Sequence, residues 1–241
     1  MMSYEGVSEA IALMKRALAI DPSYAPAAAR VALCRVGQVS FGLGGVSDSE
    51  MLEAAQLAAQ AIEIGKDDPD ALWMGAHVLS FFARAHGTAA SAVDRALMLN
   101  PNSAHAWMTS GRVSCFRNRP EPAIEAFRRA MRLSPLDPQT YQFTGGIAWA
   151  HLLAQRYAEA VEWADRSLDE NPRYTPLLRY KLVACAHLGR VAEAHELLRE
   201  MLRLQPGLTI AGLKAYPGMT VTSEFASMCA EGFRKAGLPE E

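Results

Sequence analysis

No stretch of this 241-residue sequence stays apolar long enough to cross a bilayer; the best, residues 144–154, is short and contains His151. The opening MMSYEGVSEA carries two glutamates and lacks the cationic-then-apolar order of a secretory signal, so a cytoplasmic setting is expected. An excess of one charge is lacking too. The 24 Lys and Arg stand against 26 Asp and Glu, a net of −2, which excludes the broad basic footprint of a general nucleic-acid binder. Cysteine is scarce: Cys34, Cys115, Cys185 and Cys229 lie dozens of residues apart with no C-x-x-C pair. That spacing excludes a local zinc ribbon or redox motif and fits small buried hydrophobes in a reducing compartment. With 50% apolar and 21% charged residues, the chain is neither disordered nor collagen-like.

Motifs that carry chemistry are equally sparse. The GLGG string at residues 42–45 lacks the lysine of a phosphate loop and follows no strand. HELL, beginning at His195, lacks the second histidine of a zinc-protease helix. Six histidines scattered along the chain suggest no metal centre, no Ser/His/Asp grouping assembles from the sequence, and no cofactor is expected. Arg128, Arg129 and Arg132 fall near one another on a helix and read as a solvated outer face. The expectation is a protein that is not an enzyme.

What the chain does have is a repeat. Six helical patterns each end in a proline, at Pro22, Pro69, Pro101, Pro135, Pro172 and Pro206, with intervals of 47, 32, 34, 37 and 34 residues. Upstream of each, a small residue returns seven apart: Ala10/Ala17, Ala54/Ala61, Ala89/Ala96 and Ala123/Ala130. Ala160/Ser167 and Ala194/Met201 continue the pattern with one polar and one bulky departure. Antiparallel helices approach closely only where side chains are small, and larger neighbours then fill the gaps. Ile124, Phe127, Met131 and Leu133 do so around Ala123 and Ala130, while the proline ends each unit. The 47-residue interval holds an inserted loop at residues 41–49, where Ser47 or Ser49 is placed to cap the next helix.

A period near 34 is that of a helix–turn–helix repeat. From Asn102 to Pro135, the positions of Trp107, Gly111, Ala123, Ala130 and Pro135 resemble the tetratricopeptide family. The implied fold is all-α: a right-handed superhelix (α-solenoid) of about five to six repeats, some twelve helices, with a C-terminal capping helix. Residues 1–206 are assigned to repeats, the first lacking its first helix, and residues 207–241 to a connector and the cap, with a terminal helix at residues 220–236 bearing Phe225, Met228, Cys229 and Phe233.

The resemblance also implies which positions line the concave face. They are Trp73, His77 and Phe81; His105, Met108, Arg112 and Cys115; Gln142 and Trp149; and Arg179 and Val183. Aromatic rings beside arginines suit an extended peptide, through carboxylate contacts and stacking. The sequence leaves open whether Trp73 and Trp149 instead pack between helices. The family's clamp for chaperone peptides uses lysine and asparagine, which these positions lack. A second expected contact is a homodimer through Ile11, Met14 and Leu18, the apolar face of the first, unpartnered helix.

A narrower resemblance rests on residues 9–27, residues 96–107, the RLSPLDP string at residues 132–138 and RKAGLPE at residues 234–240. These are similar to the C-terminal repeat region of bacterial class III adenylate/guanylate cyclases, where a catalytic or winged-helix domain precedes the repeats. The resemblance implies a regulatory module binding a protein segment or a second copy of itself; the alternative is a free-standing adaptor in a bacterial assembly or signalling complex. Cyclase chemistry itself does not carry over, because helical repeats and a cap occupy the whole chain.

Overall fold

The computed structural model describes residues 4–43, 45–214 and 216–241, with the Lys214 side chain left aside. The glycine string singled out above therefore falls partly outside the described residues, at Gly44, as do the first three residues of the chain. The described residues form thirteen α-helices and one 3-10 turn, with no strand among them: the fold is all-α, of stacked helical hairpins. One helix more than expected appears because the connector after Pro206 contains a short helix, Ile210–Lys214. The chain forms two compact units, Met1–Val113 and Ser114–Glu241.

The first unit contains α1 (Tyr4–Ile20), α2 (Ala25–Phe41), α3 (Asp48–Ile64), α4 (Pro69–Phe81), α5 (His86–Leu99) and most of α6 (Ala104–Phe116). Short connections make α2 with α3 and α4 with α5 antiparallel hairpins. Local chemistry sets the boundaries. Gly42, at φ 67°, closes α2 in the left-handed conformation. Ser47 opens α3 with a reciprocal capping box: its hydroxyl accepts from Glu50 N–H, while the Glu50 carboxylate accepts from Ser47 N–H. Asp68 caps α4 ahead of Pro69. The repeated alanines Ala54, Ala61, Ala89 and Ala96 are buried where the helices meet.

The outward face expected on α1 needs correction. Ile11 is 8% exposed and packs with Val7 and Val31, and Met14 and Leu18 lie partly buried on the same cluster beside Leu57. A helix at the edge of a stack needs one apolar stripe, and α1 spends its stripe on α2 and α3 of its own chain. The large apolar side chains it leaves exposed are Tyr4, Leu13 and Ile20.

The second unit contains α7 (Pro120–Leu133), α8 (Thr140–Leu153), α9 (Tyr157–Glu170), α10 (Thr175–His187), α11 (Val191–Leu204), α12 (Ile210–Lys214) and α13 (Ser223–Lys235). Here the hairpins are α8 with α9 and α10 with α11, and α13 packs on α10. Phe127 of α7 is fully buried against Gly146 of α8, where a β-carbon would collide with its ring. The polar departure at Ser167 has a cause: its buried hydroxyl donates to the Tyr141 carbonyl across the α8–α9 hairpin, at 2.6 Å. Arg128, Arg129 and Arg132 are solvent-exposed, as expected.

Candidate functional site: the first-helix faces

In the first unit α4 places Trp73, His77 and Phe81 four residues apart, one above another along the helix. The Trp73 indole N–H donates to the Asp70 carboxylate at 2.8 Å, which fixes the ring. His105 of α6 stacks on that ring, with centroids 5.4 Å apart and planes 23° from parallel. The Arg30 guanidinium of α2 lies over the same indole, 5.8 Å from its centroid. One turn further along α4, Arg112 Nη1 is 3.3 Å from His77 Nδ1, and His77 meets Phe81 edge to face.

Burial, and then the Arg112 charge, hold the His77 imidazole well below its ordinary pKa of 6.5. The ring is therefore neutral. Because guanidinium can only donate, Nδ1 carries the lone pair and Nε2 the proton. Trp73, His77, Phe81 and Met108 are buried and form a floor. His105 and Arg112 are half-buried above it, and Arg30 is exposed. The structure thus brings Trp73, His77, Phe81, His105 and Arg112 together, with Met108 buried on the same helix as His105 and Arg112, and adds Arg30 and Asp70, which have no place in the repeat pattern. Arg30 escaped because the inserted loop before α3 breaks the interval by which first-helix positions are counted.

The second unit treats its expected residues differently. Trp149 is 6% exposed, parallel to Tyr180 at 5.7 Å and edge-on to Phe116 at 5.0 Å, so it packs between helices. Burial raises the Tyr180 hydroxyl well above its ordinary pKa, keeping it protonated. Arg179 is 3% exposed; its Nη2 donates to Gln205 Oε1 at 3.0 Å and its guanidinium lies 4.3 Å over the Tyr216 ring. Val183 packs on Gly232 of α13, and His187 Nε2 pairs with the Met228 carbonyl at 2.9 Å. Gln205, Tyr216 and Gly232 therefore lie on Arg179 and Val183, the α10 positions expected to face a partner. Gln142 is buried and bonded to Gln139.

Cys115, Cys185 and Cys229 are buried, and desolvation raises the Cys185 thiol to about 12 and the Cys229 thiol further. Both stay protonated, poor nucleophiles and poor ligands. Among the described residues no group of three His, Cys, Asp or Glu is placed to hold a metal, and no helix is long and apolar enough to cross a membrane.

Comparison with known proteins agrees with this architecture. Residues 116–175 match the family described as tetratricopeptide repeat. The structure of PilW, a widely conserved type IV pilus biogenesis factor, superposes with a TM-score of 0.60 at 17% identity, over 78% of this chain and 83% of that one. The pilF structure from Pseudomonas aeruginosa gives 0.57 at 18% identity, over 84% and 86%. The Cut9–Hcn1 hetero-tetramer of the APC/C gives 0.68 at 15%, over 86% of this chain but 39% of that one. No curated protein matches. The shared feature is the fold: tetratricopeptide hairpins.

Proposed function

We propose that this chain, built on the tetratricopeptide fold, is a non-catalytic interaction scaffold whose first unit grips an extended segment of a protein partner. One observation carries the reading: the Trp73–His105 stack, with Arg30 over the indole and Arg112 bonded to His77 one turn away. A rigid aromatic floor gives a partner side chain a desolvated seat, and arginines beside it recognise carboxylates or carbonyls. The contact set is Trp73, His77, Phe81, His105, Met108 and Arg112, with Arg30. The test is affinity capture with the purified chain, repeated with Arg112→Ala. Loss of the captured protein, with the variant's helical circular dichroism unchanged, supports the reading; equal capture by both proteins rejects it.

A narrower form places the scaffold in the bacterial cytoplasm, serving a cyclase-type protein and binding a segment of it or a second copy of the chain. The strings at residues 132–138 and 234–240 support that form, and four scattered cysteines with no C-x-x-C pair suit a reducing compartment. The second reading is an adaptor in a bacterial assembly or signalling complex. Its support is the fold shared with the pilus biogenesis factor PilW along most of both chains. Binding to an isolated cyclase catalytic domain separates the two.

A further inference from the structure

On α10 two cations, two residues apart, are treated in opposite ways. Lys181 is held by two carboxylates, Asp165 at 2.7 Å and Glu193 at 2.9 Å. Arg179, two residues earlier and 3% exposed, has a neutral amide, Gln205, and the face of Tyr216. Its Nε and Nη1 find no acceptor among the described residues. A buried guanidinium without a counter-charge is costly, and the cost falls sharply when an anion arrives.

One cation suits a single negative charge, a carboxylate, better than a doubly charged phosphate. The cover over Arg179 is the Tyr216 ring, half-buried like the Pro217 that follows it. The 3-10 turn Pro217–Met219 continues from it, with Gly218 seated so close to Tyr180 that a β-carbon there would lie 2.5 Å from the hydroxyl, and with Met219 buried. Its backbone bonds close over short spans, from Tyr216 N to Leu213 O, Met219 N to Tyr216 O and Thr220 N to Pro217 O. Firm anchors lie on either side. Ile210 and Ala211 donate to the Pro239 and Glu240 carbonyls, and α13 buries Phe225, Cys229 and Phe233.

We infer that Tyr216 is a displaceable cover over a carboxylate-binding site whose anchoring cation is Arg179. The inference rests on the reading that first-helix faces grip a partner segment, and extends it: in the second unit the face is occupied by the chain itself until an acidic segment replaces Tyr216. A cover taxes binding by the fraction of time it is closed, so removing it tightens apparent affinity without adding a contact.

The experiment is calorimetric titration of the full chain with a hexapeptide carrying aspartate at alternate positions and a free carboxy terminus. Two twins accompany it, one C-terminally amidated and one with asparagine for aspartate. Tyr216→Ala should bind about tenfold more tightly than the unaltered chain, and adding Arg179→Gln should erase the gain. Loss of the gain with the amidated twin assigns the site to a chain terminus; loss with the asparagine twin assigns it to side chains. Equal affinity for Tyr216→Ala, or a gain that survives Arg179→Gln, overturns the inference. If Arg112→Ala abolishes binding while Tyr216→Ala changes nothing, the first-unit reading stands and this one falls. Should Tyr216→Ala lower the thermal midpoint, amide exchange in the unaltered chain decides. The peptide should speed exchange at Tyr216, Met219 and Thr220 while α13 stays protected, and unchanged exchange at those three overturns the inference.

Discussion

At the scale of single residues, His77 carries the sharpest consequence. Its folded pKa lies well below the ordinary 6.5, through burial and the Arg112 charge. The unfolded chain takes up a proton as pH falls through about 6.5, and the folded chain resists it. His77 therefore contributes its full stability above that pH and loses it progressively below. His151, lowered by burial and by Arg156, acts with the same sign. Denaturant unfolding between pH 7.5 and 5.5 should show stability falling with acid, by up to ~1.4 kcal/mol per pH unit for His77 alone. His77→Gln should flatten that dependence; an equally steep slope in the variant would refute the assignment. Other residues became intelligible only with coordinates. Arg84, Asn118 and Gln155 adopt positive φ of 52°, 54° and 55°, each in the turn after a first helix. Only Asn118 is of a type enriched in the left-handed region; nothing in the identity of Arg84 or Gln155 marks it, and glycine is the usual choice there.

At the scale of the helix and hairpin, the proline intervals and the paired alanines were enough to read the repeat. They reflect close approach of helices, a constraint that only small side chains meet. The partner of that constraint was less legible. Gly146 meets Phe127 from the neighbouring hairpin, and a β-carbon there would overlap its ring. Gly146→Ala should thus lower stability by about 1–3 kcal/mol although alanine is the better helix former. Chemical denaturation checks it, and a variant as stable as the parent would contradict the packing described. The apolar stripe of α1 was correctly located but given the wrong neighbour, because periodicity says that a face is buried and never by what. RLSPLDP and RKAGLPE also have local work. Asp137 accepts from Gln139 N–H and Ser134 Oγ, while Gly237, at φ 86°, ends α13 and Arg234 pairs with Glu240. Turn-making chemistry of this kind contributes to the strings on which the cyclase resemblance rests.

At the scale of the whole molecule, near-balanced charge leaves recognition to local geometry rather than to a long-range field. The sequence named the first-unit cluster residue by residue, apart from Arg30 and Asp70, yet placed Trp149 and Arg179 in the same class. Trp149 differs because Phe116 and Tyr180 pack on it, and Arg179 because Tyr216 lies over it, which depends on how a terminal segment with no repeat signature folds back onto α10. Recognition is therefore expected at one face, in the first unit, where His105 and Arg112 are half-buried and Arg30 is exposed. Its most direct test is photo-crosslinking to the captured partner, with the reactive side chain placed at His105 or, as a control, at exposed Leu52 on α3. Adducts from His105 and none from Leu52 are predicted. Adducts from Leu52 alone would contradict the claim that the Trp73–His105 face is where the partner lies.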